Sequence, residues 1–274
     1  MATSRGQNVE LESSLKNYTT IIVTDDGPVR TVTLNRPERR NAMTPEMQLE
    51  LLAALEDTAA SGCRALVMAG AGDAFCSGLD LAGLQGARDE SVADYRADTE
   101  RIARLFLALY ELPIPTIAAV HGPAIAGGTG LAMIANFTLA TPAAKFGFTE
   151  VRIGFVPALV SAFLALQVGH KQCMDLLLTG RLFGADEALR LGLVNEIVPP
   201  GRLAGRVKEL ADALLANSPQ ALRDTKRLIL AENREWLNAA IANAIQAGAE
   251  ARTTSDFREG IAAFLEKRKP AWAK

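Results

Sequence analysis

Between Glu111 and Lys145 the chain carries no Asp, Glu, Lys or Arg. An uncharged run longer than about 20 residues is long enough to cross a bilayer as a helix, but Pro115, Gly122, Pro123, Gly127, Gly128, Gly130, Asn136 and Pro142 interrupt this one. A lipid-facing helix does not tolerate so many breaks, whereas buried strands, a glycine turn and a short buried helix account for them. The pattern predicts a strand over 116–120, a helix starting near Gly127 or Gly128, and a strand over 137–140. Beyond it, Glu150 stands among Phe146, Phe148, Val151, Ile153 and Phe155. Burial raises the proton affinity of a carboxylate, so this residue is the first candidate for chemistry.

With 274 residues, 49% hydrophobic and 22% charged, the chain can bury a full core. Its net charge is −2, and the densest basic cluster of the N-terminal half, Arg36, Arg39 and Arg40, reads as well as a solvated loop as an anion site. Nucleic acid is not an expected partner, nor is a membrane. Cys63, Cys76 and Cys173 form no CxxC pair, which argues against a disulfide framework or a zinc site and for a reducing, cytoplasmic setting. Residues 1–17 mix Arg5, Glu10, Glu12 and Lys16 without an apolar stretch, so they read as a loose tail rather than a secretory signal.

Along the chain, β-rich runs at 21–25 and 29–35 flank Asp26-Gly27, a hairpin signal. Thr44 and Pro45 open a helix that Gly62 stops. A short strand over 65–69 empties into a glycine-punctuated loop over 70–81, and an amphipathic helix follows over about 94–112. Past Pro157 come helices over 160–168, 171–178 and 185–191, then a strand over 196–198. Pro199-Pro200-Gly201 is the candidate boundary between an α/β core over 18–200 and a helical region over 201–274.

Several chemistries drop out. Gly70 and Gly72 follow a strand, but Phe75 stands where a dinucleotide fingerprint needs its third glycine. There is no P-loop, and Ser77 lacks the preceding glycine of a nucleophile elbow. His121 and His170, the only histidines, read as structural hydrogen-bonding residues. No metal cluster is visible, and nothing cationic near Cys76 in sequence would lower its pKa. What remains is a pair of glycine loops, each following a buried strand. Gly127 lies where a helix begins, so its amide is free of helical partners and can meet a developing oxyanion, and Leu79 offers a second amide. The alternative is that these glycines only permit tight packing.

Three segments carry a resemblance: residues 74–81 (AFCSGLDL), 120–133 (VHGPAIAGGTGLAM) and 144–154 (AKFGFTEVRIG). Together with Leu178-Thr179-Gly180-Arg181, Gly192-Leu193-Val194-Asn195 and the closing Phe264-Leu265-Glu266-Lys267, they resemble the enoyl-CoA hydratase/isomerase (crotonase) family from about Tyr18 onward. The resemblance implies a crotonase-like spiral of ββα units with an α-helical C-terminal region that packs into homotrimers, often paired into hexamers. It implies an acyl-CoA substrate, coenzyme A being part of that substrate, and no redox or metal cofactor. By position, the amides of Leu79 and Gly127 form an oxyanion hole, with Glu150 as acid and base. The segment containing Ala42, Leu79, Asp80 and Leu81 would meet the CoA, Gly128 would belong to the binding loop, and Phe264 and Lys267 of a neighbouring subunit would contact CoA.

One position departs from the family pattern. Members that hydrate enoyl-CoA efficiently carry a second glutamate in the helix after the glycine turn, and that place is Gly130 here. A single carboxylate suffices to shuttle a proton between two carbons, as in the family's enoyl-CoA isomerases, or to serve both steps of a hydration. A non-catalytic acyl-CoA binder that lost the second acid is the rival from another class, and a salt bridge from Glu150 to Arg152 is the bland alternative for Glu150. Residues 84–112 and Phe155, Val156 and Leu159 are expected to wall the acyl site, their apolar character suggesting an uncharged chain.

Overall fold

Gly27 turns the chain with φ +57°, which joins strand β1 (Ile21–Asp26) to antiparallel β2 (Val29–Leu34). The structure is a computed structural model that describes residues 18–86 and 91–273, with backbone only for 84–86; the tail over 1–17 lies outside the described residues. Helix α1 (Pro45–Ala60) starts where the sequence requires, the Thr44 hydroxyl accepting from the Met47 amide. Next come β3 (Ala65–Gly70), α2 (Leu81–Gly86) and α3 (Val92–Glu111). The expected loop therefore ends in a helical turn, and α3 starts earlier than its apolar spacing suggests because Ser91 and Asp94 form a capping box.

The charge-free stretch folds as β4 (Thr116–Val120), β5 (Ala124–Ile125), α4 (Gly127–Ile134) and β6 (Phe137–Ala140). After β7 (Lys145–Gly147) a 3-10 helix covers Glu150–Ile153. Then follow α5 (Ala158–Leu164), α6 (His170–Thr179), β8 (Leu182–Gly184), α7 (Ala185–Arg190) and β9 (Glu196–Ile197). Four helices close the chain: α8 (Leu203–Leu215), α9 (Pro219–Ala231), α10 (Arg234–Ala251) and α11 (Ser255–Leu265).

The main sheet has the order β1-β2-β3-β4-β6-β9 and is parallel beyond β2. Every residue of β4 is buried, as an unbroken apolar strand in a sheet covered on both faces must be. On one face α8 seals a cluster of Val67, Ile117, Leu139, Val198, Val207 and Ala211. The larger core, with Phe75, Phe106, Phe146, Phe148 and Phe163, fills the other side. A second sheet, β5-β7-β8, stands apart. Helix α10 packs on α3 and α5, and α11 packs on the 3-10 helix that carries Glu150. Among the described residues no helix is long and apolar enough to cross a membrane, and no cluster of His, Cys, Asp or Glu could hold a metal.

Candidate active site

The wholly buried Asn41 fixes the first glycine loop from below. Its Nδ2 donates to the carbonyls of Ala71 (2.9 Å) and Ala74 (2.8 Å), and its Oδ1 accepts from the Arg36 amide (2.9 Å). The loop then runs alongside Met43: the Met43 amide donates to Gly78 O at 2.7 Å, and the Asp80 amide donates to Met43 O at 3.1 Å. Successive amides of an extended segment point to opposite sides, so the Leu79 N–H between these two bonds faces away from Met43. Among the described residues it has no partner.

The second loop brings its own amide to the same place. Ala126, the N-cap of α4, holds φ +54° and ψ −123°, a conformation that a residue with a Cβ adopts only under local constraint. That constraint comes from the Ala126 amide donating to Gly147 O at 2.7 Å and the Ile125 amide donating to Cys76 O at 2.8 Å. Gly127 opens the helix with an N–H that is unpaired among the described residues, at the positive end of the helix dipole. The two loops touch: a Cβ on Gly78, whose φ is +88°, would lie 3.0 Å from Ala126 Cβ and 3.5 Å from the Gly127 nitrogen. Gly128 is the packing glycine of the pair, since a Cβ there would lie 2.1 Å from Cys76 O.

Glu150 enters from the 3-10 helix, only 9% exposed, with Oε2 buried and without a partner among the described residues. Arg152 is not its counter-ion among the described residues. Burial pushes its carboxyl up to about 7. Leu79, Gly127 and Glu150 line one cavity of about 290 Å³, together with Leu81 and Phe264. Phe264 lines the cavity of its own chain, where α11 packs on the 3-10 helix. Ala42, Asp80, Gly128 and Lys267 are not in the cavity wall. The Ala42 carbonyl accepts from Arg36, and Asp80 pairs with Arg36 at 2.9 Å while capping α2 through the Ala82 amide.

Burial pushes the Cys76 thiol up to about 12, and His121 Nε2 sits 2.8 Å from Gly72 O in a structural hydrogen bond. Thr99, Ile102 and Phe106 of α3 wall the cavity, whereas the side chains of 84–90 lie outside the described residues. Phe155, Val156 and Leu159 line it as expected. The wall is not uniformly apolar, however: the buried Arg252, at the C-terminal end of α10, also lines it. In sequence Arg252 looks like a helix-end surface cation, and its partner Asp98 is 154 positions away, so no local signal marks it.

A family profile described as enoyl-CoA hydratase/isomerase matches residues 25–274. The chain belongs to the enoyl-CoA hydratase/isomerase family. Among the relatives of this family member is a putative enoyl-CoA hydratase of Thermus thermophilus, 47% identical over 251 residues that span 91% of this chain and 99% of that protein. A crotonyl-CoA hydratase of Syntrophomonas wolfei is 34% identical over 261 residues, spanning 92% and 97%. The crystal structure of an enoyl-CoA hydratase/isomerase from Xanthobacter autotrophicus Py2 superposes with a TM-score of 0.85 at 31% identity, covering 92% of this chain and 97% of that one. The mixed α/β architecture is thus the crotonase fold, with four helices closing the chain.

Proposed function

We propose that this enoyl-CoA hydratase/isomerase family member shifts the double bond of an enoyl-CoA thioester, with Glu150 as its single acid/base and the Leu79 and Gly127 amides as its oxyanion hole. The observation that carries the reading is at Gly130. A Cβ there would already lie 2.8 Å from Val160 Cγ1 and 2.9 Å from Phe106 Cε2, so the place of a second carboxylate is filled by hydrocarbon. Glu150 is the one acidic residue in the cavity wall among the described residues.

In the forward direction the Glu150 carboxylate takes a proton from the carbon next to the thioester carbonyl of a 3-enoyl chain. Electrons move onto the carbonyl oxygen, where two preorganised N–H donors each contribute about 3 kcal/mol in comparable holes. Glu150 returns the proton to the fourth carbon, the double bond settles between the second and third, and the carboxylate is restored. A group with a pKa near neutrality suits both halves, since it neither holds nor refuses the proton strongly.

Coenzyme A enters as part of the substrate, and no metal or redox cofactor takes part in this scheme. The scheme places CoA on the side of Leu81 and Phe264. Exposed Leu228 and Ile229 on α9, a helix with no buried residue, support a subunit interface and hence the trimeric or hexameric assembly that the resemblance implies. A cytoplasmic setting fits the free thiols of Cys63, Cys76 and Cys173.

The names of the hydratase relatives favour a second reading, in which Glu150 takes a proton from water as the water attacks the third carbon and delivers it to the second. Separate reactions of the protein with a 2-enoyl-CoA and a 3-enoyl-CoA in D2O, read by mass spectrometry, decide between them. Conversion of the 3-enoyl to the 2-enoyl thioester without gain of water is the expected result. Gain of water on the 2-enoyl thioester alone supports hydration. Tight thioester binding with neither product nor deuterium uptake returns the protein to a binding role.

A further inference from the structure

Arg252 has less compensation than a buried cation normally requires. It is 3% exposed, its Nη1 donates to Asp98 Oδ2 at 3.1 Å, and its Nε is buried with no hydrogen-bond partner among the described residues. Asp98 is also bonded at 2.6 Å by Arg101, whose other side-chain partner, Gln48, is neutral. One carboxylate therefore serves two guanidinium groups. Arg252 stands 5.7 Å from the Tyr95 ring centroid and 6.0 Å from that of Phe155, so aromatic faces hold it in place in the wall of the cavity that contains Glu150. An orphaned N–H on a buried cation is expensive in a folded protein unless something else supplies the acceptor.

We propose that Arg252 is a specificity-determining residue that receives an oxygen acceptor on the acyl chain. The substrate is then an enoyl-CoA whose acyl group carries a carboxylate, carbonyl or hydroxyl oxygen beyond the reacting carbons. This rests on the proposed function only in taking the cavity as the acyl site, and the test uses binding, so it does not need turnover. Saturated thioesters, which cannot react, are titrated calorimetrically in length-matched sets of six and eight acyl carbons ending in a methyl, a ketone or a carboxylate. One of the oxygenated thioesters is expected to bind the wild-type protein about tenfold or more tighter than its methyl-ended partner, the worth of a charged hydrogen bond. Arg252→Met brings the ratio to about one, and Arg252→Lys retains part of it. The ketone and carboxylate arms tell a neutral acceptor from an anion.

Should Arg252→Met fail to fold, the wild-type ratio and the lysine variant still decide. Equal or tighter binding of the methyl-ended thioesters at both lengths overturns the proposal, as does a preference that survives Arg252→Met. A preference that depends on Arg252, in a protein that turns over no enoyl-CoA, keeps the acyl subsite and removes the isomerase reading instead.

Discussion

Phe106 occupies the space into which a side chain on Gly130 would project: a Cβ built on the glycine meets Phe106 Cε2 at 2.9 Å, with Val160 Cγ1 at 2.8 Å on its other flank. The glycine is part of the packing between α3, α4 and α5, so a carboxylate cannot be added there without moving an aromatic ring. Gly130→Glu is therefore expected to lose about 1–3 kcal/mol of stability through overpacking and an unpaired buried charge. It should gain no hydratase activity. Urea unfolding and a hydration assay check both, and a stable variant with faster hydration would show that the ring yields easily.

The rate should follow the ionisation of Glu150. Its carboxyl is pushed up to about 7 by burial, and only the carboxylate can take the first proton. Below that pH, kcat/KM for a 3-enoyl-CoA should fall about tenfold per pH unit, and above it level off. Initial rates across that range test this. A profile still flat at about pH 5 would mean that a group with an ordinary carboxylate pKa, near 4.5, does the work.

The same ionisation affects folding, with an unusual sign for an acid. The folded state holds the Glu150 proton up to about 7, and the unfolded chain releases it near 4.5. Between these values the folded state binds more protons, so stability declines as pH rises through the window and the loss is complete above it. The loss amounts to about 3.5 kcal/mol at most, taking about 1.4 kcal/mol per pKa unit. Glu150→Gln, which cannot ionise, should be more stable than wild type at pH 8, with the gain vanishing toward pH 4.5. Denaturation midpoints at the two pH values measure it, and an equal difference at both would contradict the burial argument.

Helix α11 holds the 3-10 helix of Glu150 through glycine. A Cβ on Gly260 would lie 2.1 Å from Ile153 O, and one on Gly154, whose φ is +66°, would lie 2.3 Å from Asp256 O. Gly260→Ala should push α11 off Glu150, lowering stability by about 2 kcal/mol and kcat with it. Thermal melting and steady-state kinetics read the two effects; an unchanged melt would mean that the helix docks elsewhere.

The chain announces much of this arrangement and hides the rest for physical reasons. Strands over 116–120 and 137–140 are legible because a central parallel strand must be apolar throughout, and Thr44-Pro45 marks α1 because capping is local. Gly127 as the start of α4 follows from the glycine pattern. The small sheet is not legible, since β5 is two residues long and pairs with β7 some 20 positions on, with no alternation to read. Helix α2 (LAGLQG) is masked by its glycines. Glu150 stands out by its apolar neighbours in sequence, whereas Arg252 is buried by residues of α3 that only the fold brings to it. The path of α11 beside its own chain's cavity is likewise a tertiary fact.

The most direct measurement compares wild type with Glu150→Gln on a 3-enoyl-CoA in D2O, following deuterium uptake by mass spectrometry while thioester binding is measured by calorimetry. The amide matches the acid in size but cannot take a proton. Binding should change by less than about threefold, a fraction of one hydrogen bond, while uptake and double-bond migration fall by at least about a hundredfold. Exchange at the wild-type rate in the Glu150→Gln protein would contradict the account, because another group would then be moving the proton.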